Sequence, residues 1–283
     1  MTGPRAETVL GLTSRGFHRL RYWEWGDPAN PRVVVCVHGL TRNGRDFDAL
    51  AAALADRYRV LCPDVAGRGD SDWIDAGDYA YPQYCNDMAN LIARSGAAQV
   101  DWVGTSMGGL VGMILAAQAR TPIRRLILND VGPFIPKAAL ETIALTVGDN
   151  PVFDSVEAAA DYISNVNAGF GRLSRAEWLG LARTTVRRRE DGKYVWKRDP
   201  AIGKSFVGQP QNDVVLWPAW DMVCCPVLLL RGAESDVLPA AVAEEMTRRG
   251  PKARLLTVEG AGHAPALLSD FQIRPIRDFL LAT

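Results

Sequence analysis

The chain has 283 residues, enough to bury one large α/β domain or a core carrying a small insert. Apolar residues make up 48% and charged residues 23%, the balance of an ordinary soluble globular protein. With 32 basic and 32 acidic side chains, no global field favours nucleic acid or an anionic membrane surface.

From the amino terminus, Met1-Thr2-Gly3-Pro4-Arg5 is not followed by the apolar core of a signal peptide. No later apolar run approaches the ~18 residues of a spanning helix, so a cytoplasmic location is expected. Phe17–Trp25 alternates and ends at Gly26-Asp27-Pro28, which reads as antiparallel edge strands joined by turns. Arg32–Val37 and Tyr58–Cys62 read as parallel strands buried on both faces, with helical spacing at Phe47–Leu54 between them. Cys36 and Cys62 fall in or beside these strands, where a thiol acts as a small hydrophobe, and five free thiols suit a reducing compartment. A helix follows near Pro82–Arg94, then a strand at Val100–Val103, a helix at Leu110–Ala117 and a strand at Arg125–Asn129. The rhythm fails from about Gly132 to Trp217, where helical stretches such as Ser155–Ile163 and a turn at Asp191-Gly192 appear instead. It resumes with a strand at Pro226–Leu230, a helix near Ala240–Arg249, a strand at Ala253–Val258 and a closing helix that starts or kinks at Pro275. Alternation at this spacing predicts an α/β fold with a doubly wound, mostly parallel sheet. The expected organisation is a core at 1–131 and 218–283, interrupted by a helical cap insert at 132–217.

Gly104-Thr105-Ser106-Met107-Gly108 carries the chemistry. An apolar, β-prone run precedes it and a buried-helix run follows, so Ser106 sits on a tight strand-to-helix turn that pushes its hydroxyl out of the sheet. The flanking glycines are needed because a Cβ there collides with neighbouring backbone. A serine hydroxyl needs a base, and that base needs an orienting group. There are three histidines. His263, in the loop Glu259–Pro265 after the last strand, is placed on the same carboxyl edge as Ser106 and is the expected base. His38 is expected to shape a loop, and His18 to lie at the surface. Two carboxylates compete to orient His263: Asp236, after the strand ending at Leu230, and Asp130, after the strand ending at Asn129; Glu234 is a weaker neighbour.

The chain resembles α/β-hydrolase-fold enzymes from about Phe17 to the closing helix, through His38-Gly39-Leu40, Asp64–Ser71, the turn at Ser106, Asp236 and His263, in that order. The order Ser, Asp, His of that fold favours Asp236 as the acid. The resemblance further implies an oxyanion hole made by the backbone N–H groups of Leu40 and Met107, and a serine nucleophile where dehalogenases and epoxide hydrolases of the fold carry aspartate. The Asp64–Ser71 loop is given no catalytic part.

These readings point to a hydrolase cleaving a small carboxylic ester or thioester through an acyl-enzyme. A carbon–carbon bond hydrolase or cofactor-free perhydrolase on the same residues is the alternative, and a ligand receptor keeping the fold is a third. No cofactor and no metal are expected, and no partner beyond a small-molecule ester. The insert and its borders are rich in aromatics, including Phe153, Tyr162, Phe170, Trp178, Tyr194, Phe206 and Trp220. With them, Phe134, Trp196 and Trp217 are the expected pocket wall, unless the aromatics serve simply to fix a small helical cap to the core. Arg183, Arg187, Arg188 and Arg189 form a basic cluster that can draw a substrate carboxylate or serve simply as a solvated helix face.

Overall fold

The computed structural model describes residues 3–205 and 212–282; Phe206 lies outside them. The first part of the chain forms β1 (Arg5–Thr13), β2 (Gly16–Trp25), β3 (Val33–Val37), α1 (Asp48–Leu54), β4 (Arg59–Pro63), α2 (Tyr81–Ser95), β5 (Val100–Thr105), α3 (Met107–Ala116) and β6 (Ile123–Asn129). Then come β7 (Phe134–Ile135), α4 (Lys137–Val147), α5 (Val156–Val166), α6 (Arg175–Thr185), β8 (Val186–Arg188), β9 (Tyr194–Trp196) and β10 (Val214–Val215). The chain closes through α7 (Trp217–Met222), β11 (Val227–Gly232), α8 (Ala240–Arg248), β12 (Arg254–Val258) and α9 (Asp270–Leu281).

Eight strands form one sheet in the order β1-β2-β4-β3-β5-β6-β11-β12. From β4 onward every pairing is parallel, and β2 runs antiparallel to both β1 and β4. The expected doubly wound, mostly parallel sheet is the one observed. Side-chain alternation along β3 shows how its faces are covered: Val33, Val35 and Val37 pack with Met88, Trp102 and Val111, while Val34 and Cys36 pack with Leu50, Leu54, Ile276 and Leu280. A strand buried on both faces must be apolar at every position, as β3 is. Each fully buried leucine or isoleucine contributes roughly 1.5–3 kcal/mol relative to exposure.

Three local expectations are corrected. Phe17–Trp25 is a single strand inside the sheet rather than a set of edge strands, because the alternating Arg5–Thr13 segment supplies the edge. His18 is buried rather than at the surface: its side chain meets Asp87 of α2 at 3.1 Å, since β2 presents it to the helix that covers the sheet. The closing helix does not start at Pro275, which lies inside α9, five residues past its start.

Between β6 and β11, α5 and α6 pack on each other and on the β8–β9 hairpin around a third apolar cluster of Phe153, Ile163, Trp178, Leu181 and Trp196. The hairpin turns at Gly192, with φ of 84°, where the sequence placed Asp191-Gly192. Phe153 and Trp196 meet edge to face, with ring centroids 4.9 Å apart. The insert's aromatics are thus largely spent on holding it together.

Candidate active site

β5 ends at Thr105 and α3 begins at Met107, leaving Ser106 alone in the turn at φ 51° and ψ −117°. A non-glycine residue there stores on the order of 1–3 kcal/mol of backbone strain. The turn closes only because its neighbours lack side chains. A Cβ on Gly104 falls 2.3 Å from the carbonyl oxygen of Gly108, and one on Gly108 falls 2.0 Å from that of Val37. Three hydrogen bonds hold the serine backbone: its N–H donates to Asn129 O at 3.1 Å, and its carbonyl accepts from Gly109 N at 2.8 Å and Leu110 N at 3.0 Å.

The loop after β12 brings His263 across the carboxyl edge. Its Nε2 lies 2.9 Å from Ser106 Oγ and its Nδ1 lies 2.7 Å from Asp130 Oδ2. Asn129 anchors this loop by donating to Pro265 O at 2.9 Å and to Thr105 Oγ1 at 3.0 Å. From the other side, Gly262 N donates to Gly169 O of the insert at 2.8 Å.

Asp236 is therefore corrected as the residue orienting His263: the carboxylate on the imidazole is Asp130. The sheet order explains it. β6 lies directly between β5 and β11, so the residue after β6 emerges beside Ser106. Asp130 turns inward at φ 58° and is completely buried. A buried carboxylate needs donors, and Asp130 has three: His263, Gly232 N at 2.8 Å to Oδ1, and Ser235 Oγ at 2.6 Å to Oδ2. Asp236 stays exposed on the rim of the same cavity, with Glu234 beside it. Ser235, unnoticed in the sequence, is the residue of that loop which reaches the site.

Leu40 lines the cavity at the β3 end, and Met107 N opens α3 beside the serine. Among the described residues, neither backbone N–H donates to a protein acceptor. Both are free to meet an oxyanion, and the helix start adds partial positive charge. Arg68, from the loop given no catalytic part, touches both residues: Nε donates to Leu40 O at 2.9 Å and Nη2 lies 3.8 Å from Met107 Sδ. His38 shapes the loop as expected. Its Nδ1 pairs with Gly39 O at 2.7 Å and its Nε2 accepts from Val65 N at 3.0 Å, and burial pulls its pKa from 6.5 down to about 3.

The cavity above Ser106 measures about 510 Å³ and is lined by Gly39, Leu40, Ile143, Val147, Phe170, Leu181 and Val237, among others. The expected pocket wall is corrected here. Phe134, paired in β7 with Val215, and Trp217, beneath Arg249, do not line it; Trp196 lines two other cavities, of about 630 and 40 Å³, and not this one. α4 and the 165–170 segment supply the wall instead. Arg183, Arg187, Arg188 and Arg189 are exposed, and none lines the cavity above Ser106.

A strand–serine–helix turn in this sheet order, met by an imidazole from the last strand's loop, defines the α/β-hydrolase class. The alpha/beta hydrolase family profile matches residues 34–273, and the chain belongs to that family. It is 43% identical over 279 residues to a 3-hydroxybutyrate-oligomer hydrolase of Cupriavidus necator, covering 95% of each chain. An esterase of Mycobacterium tuberculosis is 30% identical over 251 residues, covering 85% of this chain and 78% of its own. Among solved structures, an alpha/beta hydrolase from Novosphingobium aromaticivorans is 36% identical with a TM-score of 0.86, covering 97% of this chain and 98% of its own. No helix among the described residues is long and apolar enough to cross a membrane.

Proposed function

We propose that this chain is a serine hydrolase of small carboxylic esters, with Ser106 as nucleophile, His263 as base and acid, and Asp130 holding the imidazole. The observation that carries it is one imidazole bridging Ser106 Oγ at 2.9 Å and a fully buried carboxylate at 2.7 Å. Ser106 Oγ attacks the ester carbonyl while its proton passes to Nε2. The carbonyl oxygen gains the negative charge and turns to the N–H groups of Leu40 and Met107, each such donor being worth roughly 10²–10³ in rate. Nε2 then protonates the departing alcohol as the tetrahedral centre collapses to the acyl-serine. Water gives a proton to the same nitrogen and attacks the acyl carbon, and the acid leaves as Ser106 regains its proton. Asp130 fixes the Nδ1–H tautomer and faces the imidazolium when it forms.

Residues 132–217 serve as the cap: α4 and the segment around Gly169 roof the serine and brace the loop of His263. A cavity of about 510 Å³ suits a small substrate. The name of the Cupriavidus necator relative supports an oligoester of a hydroxy acid. Hydrolysis of p-nitrophenyl esters from acetate to decanoate tests the reading. Short acyl chains are expected to react fastest, and Ser106→Ala to lose at least about 10³-fold. Ester turnover surviving that substitution removes the covalent route.

A further inference from the structure

Beside the catalytic cavity lies a smaller one of about 40 Å³. Thr41, Arg42, Thr146 and Asn167 line both, so the two share a wall, and Thr185 and Arg198 complete the polar side of the smaller one. Arg198 is half-buried. Its Nη2 donates to the carbonyl oxygens of Asp149 at 2.9 Å, Thr146 at 3.3 Å and Val147 at 3.5 Å, and its guanidinium lies 5.4 Å from the Trp196 ring centre. Its Nε and Nη1 have no protein acceptor among the described residues, and no carboxylate there pairs with it. The other cation of this wall is already neutralised: Arg42 holds Asp46 through bonds of 2.8 and 2.6 Å. The carboxylate of Asp149, the nearby acid, is engaged by the Tyr162 hydroxyl.

Resting on the ester-hydrolase reading, we infer that this side pocket seats a free carboxylate of the substrate, held by the open edge of the Arg198 guanidinium. The substrate class is then an ester bearing an ionised acid a few bonds from the scissile carbonyl, as in a linear oligoester of a hydroxy acid. A cavity of about 40 Å³ has room for a carboxylate. A planar guanidinium matches a carboxylate in geometry. Burial and the neighbouring charge of Arg42 lower the Arg198 pKa to about 10, the mark of a cation short of a counter-ion. The rim carboxylates Glu234 and Asp236 line only the larger cavity, so they do not oppose an anion here.

The test compares kcat/KM for the linear dimer of 3-hydroxybutyrate with that for its methyl ester. The wild-type protein is expected to prefer the free acid by roughly 10- to 100-fold, the range of one charged hydrogen-bonded contact. Arg198→Met is expected to collapse that ratio to near one, chiefly through KM, and Arg198→Lys to restore part of it. Equal turnover of acid and methyl ester by the wild type overturns the inference. So does an Arg198→Met protein that keeps the ratio. If Arg198→Met does not fold, butyrate and butyramide are compared as inhibitors of wild-type p-nitrophenyl acetate hydrolysis. Stronger inhibition by butyrate is expected, and equal inhibition overturns the subsite. Loss of p-nitrophenyl acetate turnover in the wild type itself marks failure of the hydrolase reading instead.

Discussion

Asp130→Asn separates the observed geometry from the alternative in which Asp236 orients the base. Three donors converge on Asp130: His263 Nδ1 at 2.7 Å, Ser235 Oγ at 2.6 Å and Gly232 N at 2.8 Å. An asparagine keeps the shape but replaces one acceptor oxygen with an N–H₂ that only donates. If the amide nitrogen faces His263, the ring must take the Nε2–H tautomer and cannot accept the proton of Ser106. If it faces Gly232 instead, two donors confront each other at a fully buried position, which costs about 1–3 kcal/mol of stability. The first arrangement is expected to lower kcat by roughly 10⁴, the cost of a wrong tautomer in a serine triad. Asp236→Asn, altering an exposed carboxylate with no hydrogen bond to the imidazole, is expected to change kcat by less than about threefold. Initial rates on p-nitrophenyl butyrate, with circular dichroism to confirm folding, measure both. A folded Asp130→Asn protein retaining a tenth of its activity, or an Asp236→Asn protein losing 10³, refutes the assignment.

Two further outcomes follow from the surrounding packing. Gly108→Ala places a Cβ 2.0 Å from a backbone carbonyl, whereas Gly77→Ala meets nothing within 4 Å. The first is expected to cost at least about 3 kcal/mol and the second less than about 1, read as thermal midpoints; equal midpoints contradict the elbow packing. His38 titrates at 6.5 when unfolded and about 3 when folded. Its contribution is full above pH 6.5 and is lost as pH falls, by about 2 kcal/mol at pH 5. His38→Gln keeps both an acceptor and a donor but does not titrate, so the stability gap between wild type and variant should narrow by about that amount from pH 7.5 to 5. A gap independent of pH contradicts the buried neutral imidazole.

Much of this was legible in the residues because local signals carry local geometry. The unbroken apolar run of β3 suits a strand buried on both faces, and the glycines around Ser106 announce a turn too tight for side chains. His263 could be placed because the loop after the last strand of a parallel sheet must open at the carboxyl edge. What was not legible depends on which strand lies beside which. Asp130 and Asp236 both follow strands and both lie between Ser106 and His263 in the chain, so the order Ser, Asp, His that was taken to favour Asp236 does not separate them. Lateral order decides for Asp130, since β6 is the immediate neighbour of β5. The pocket wall failed for a related reason: aromatic composition cannot say whether Trp196 packs on Phe153 or on a substrate. His18 was misplaced because alternation along β2 does not reveal that α2 covers that face and offers Asp87.

Labelling with a fluorophosphonate, followed by peptide mass spectrometry, tests the reactivity of Ser106 most directly. One adduct per chain on the peptide carrying Ser106 is expected, absent in Ser106→Ala and at least about 10²-fold slower in His263→Ala. A well-folded chain left unlabelled at Ser106, or labelled there equally fast without His263, contradicts the claim that this imidazole activates this hydroxyl.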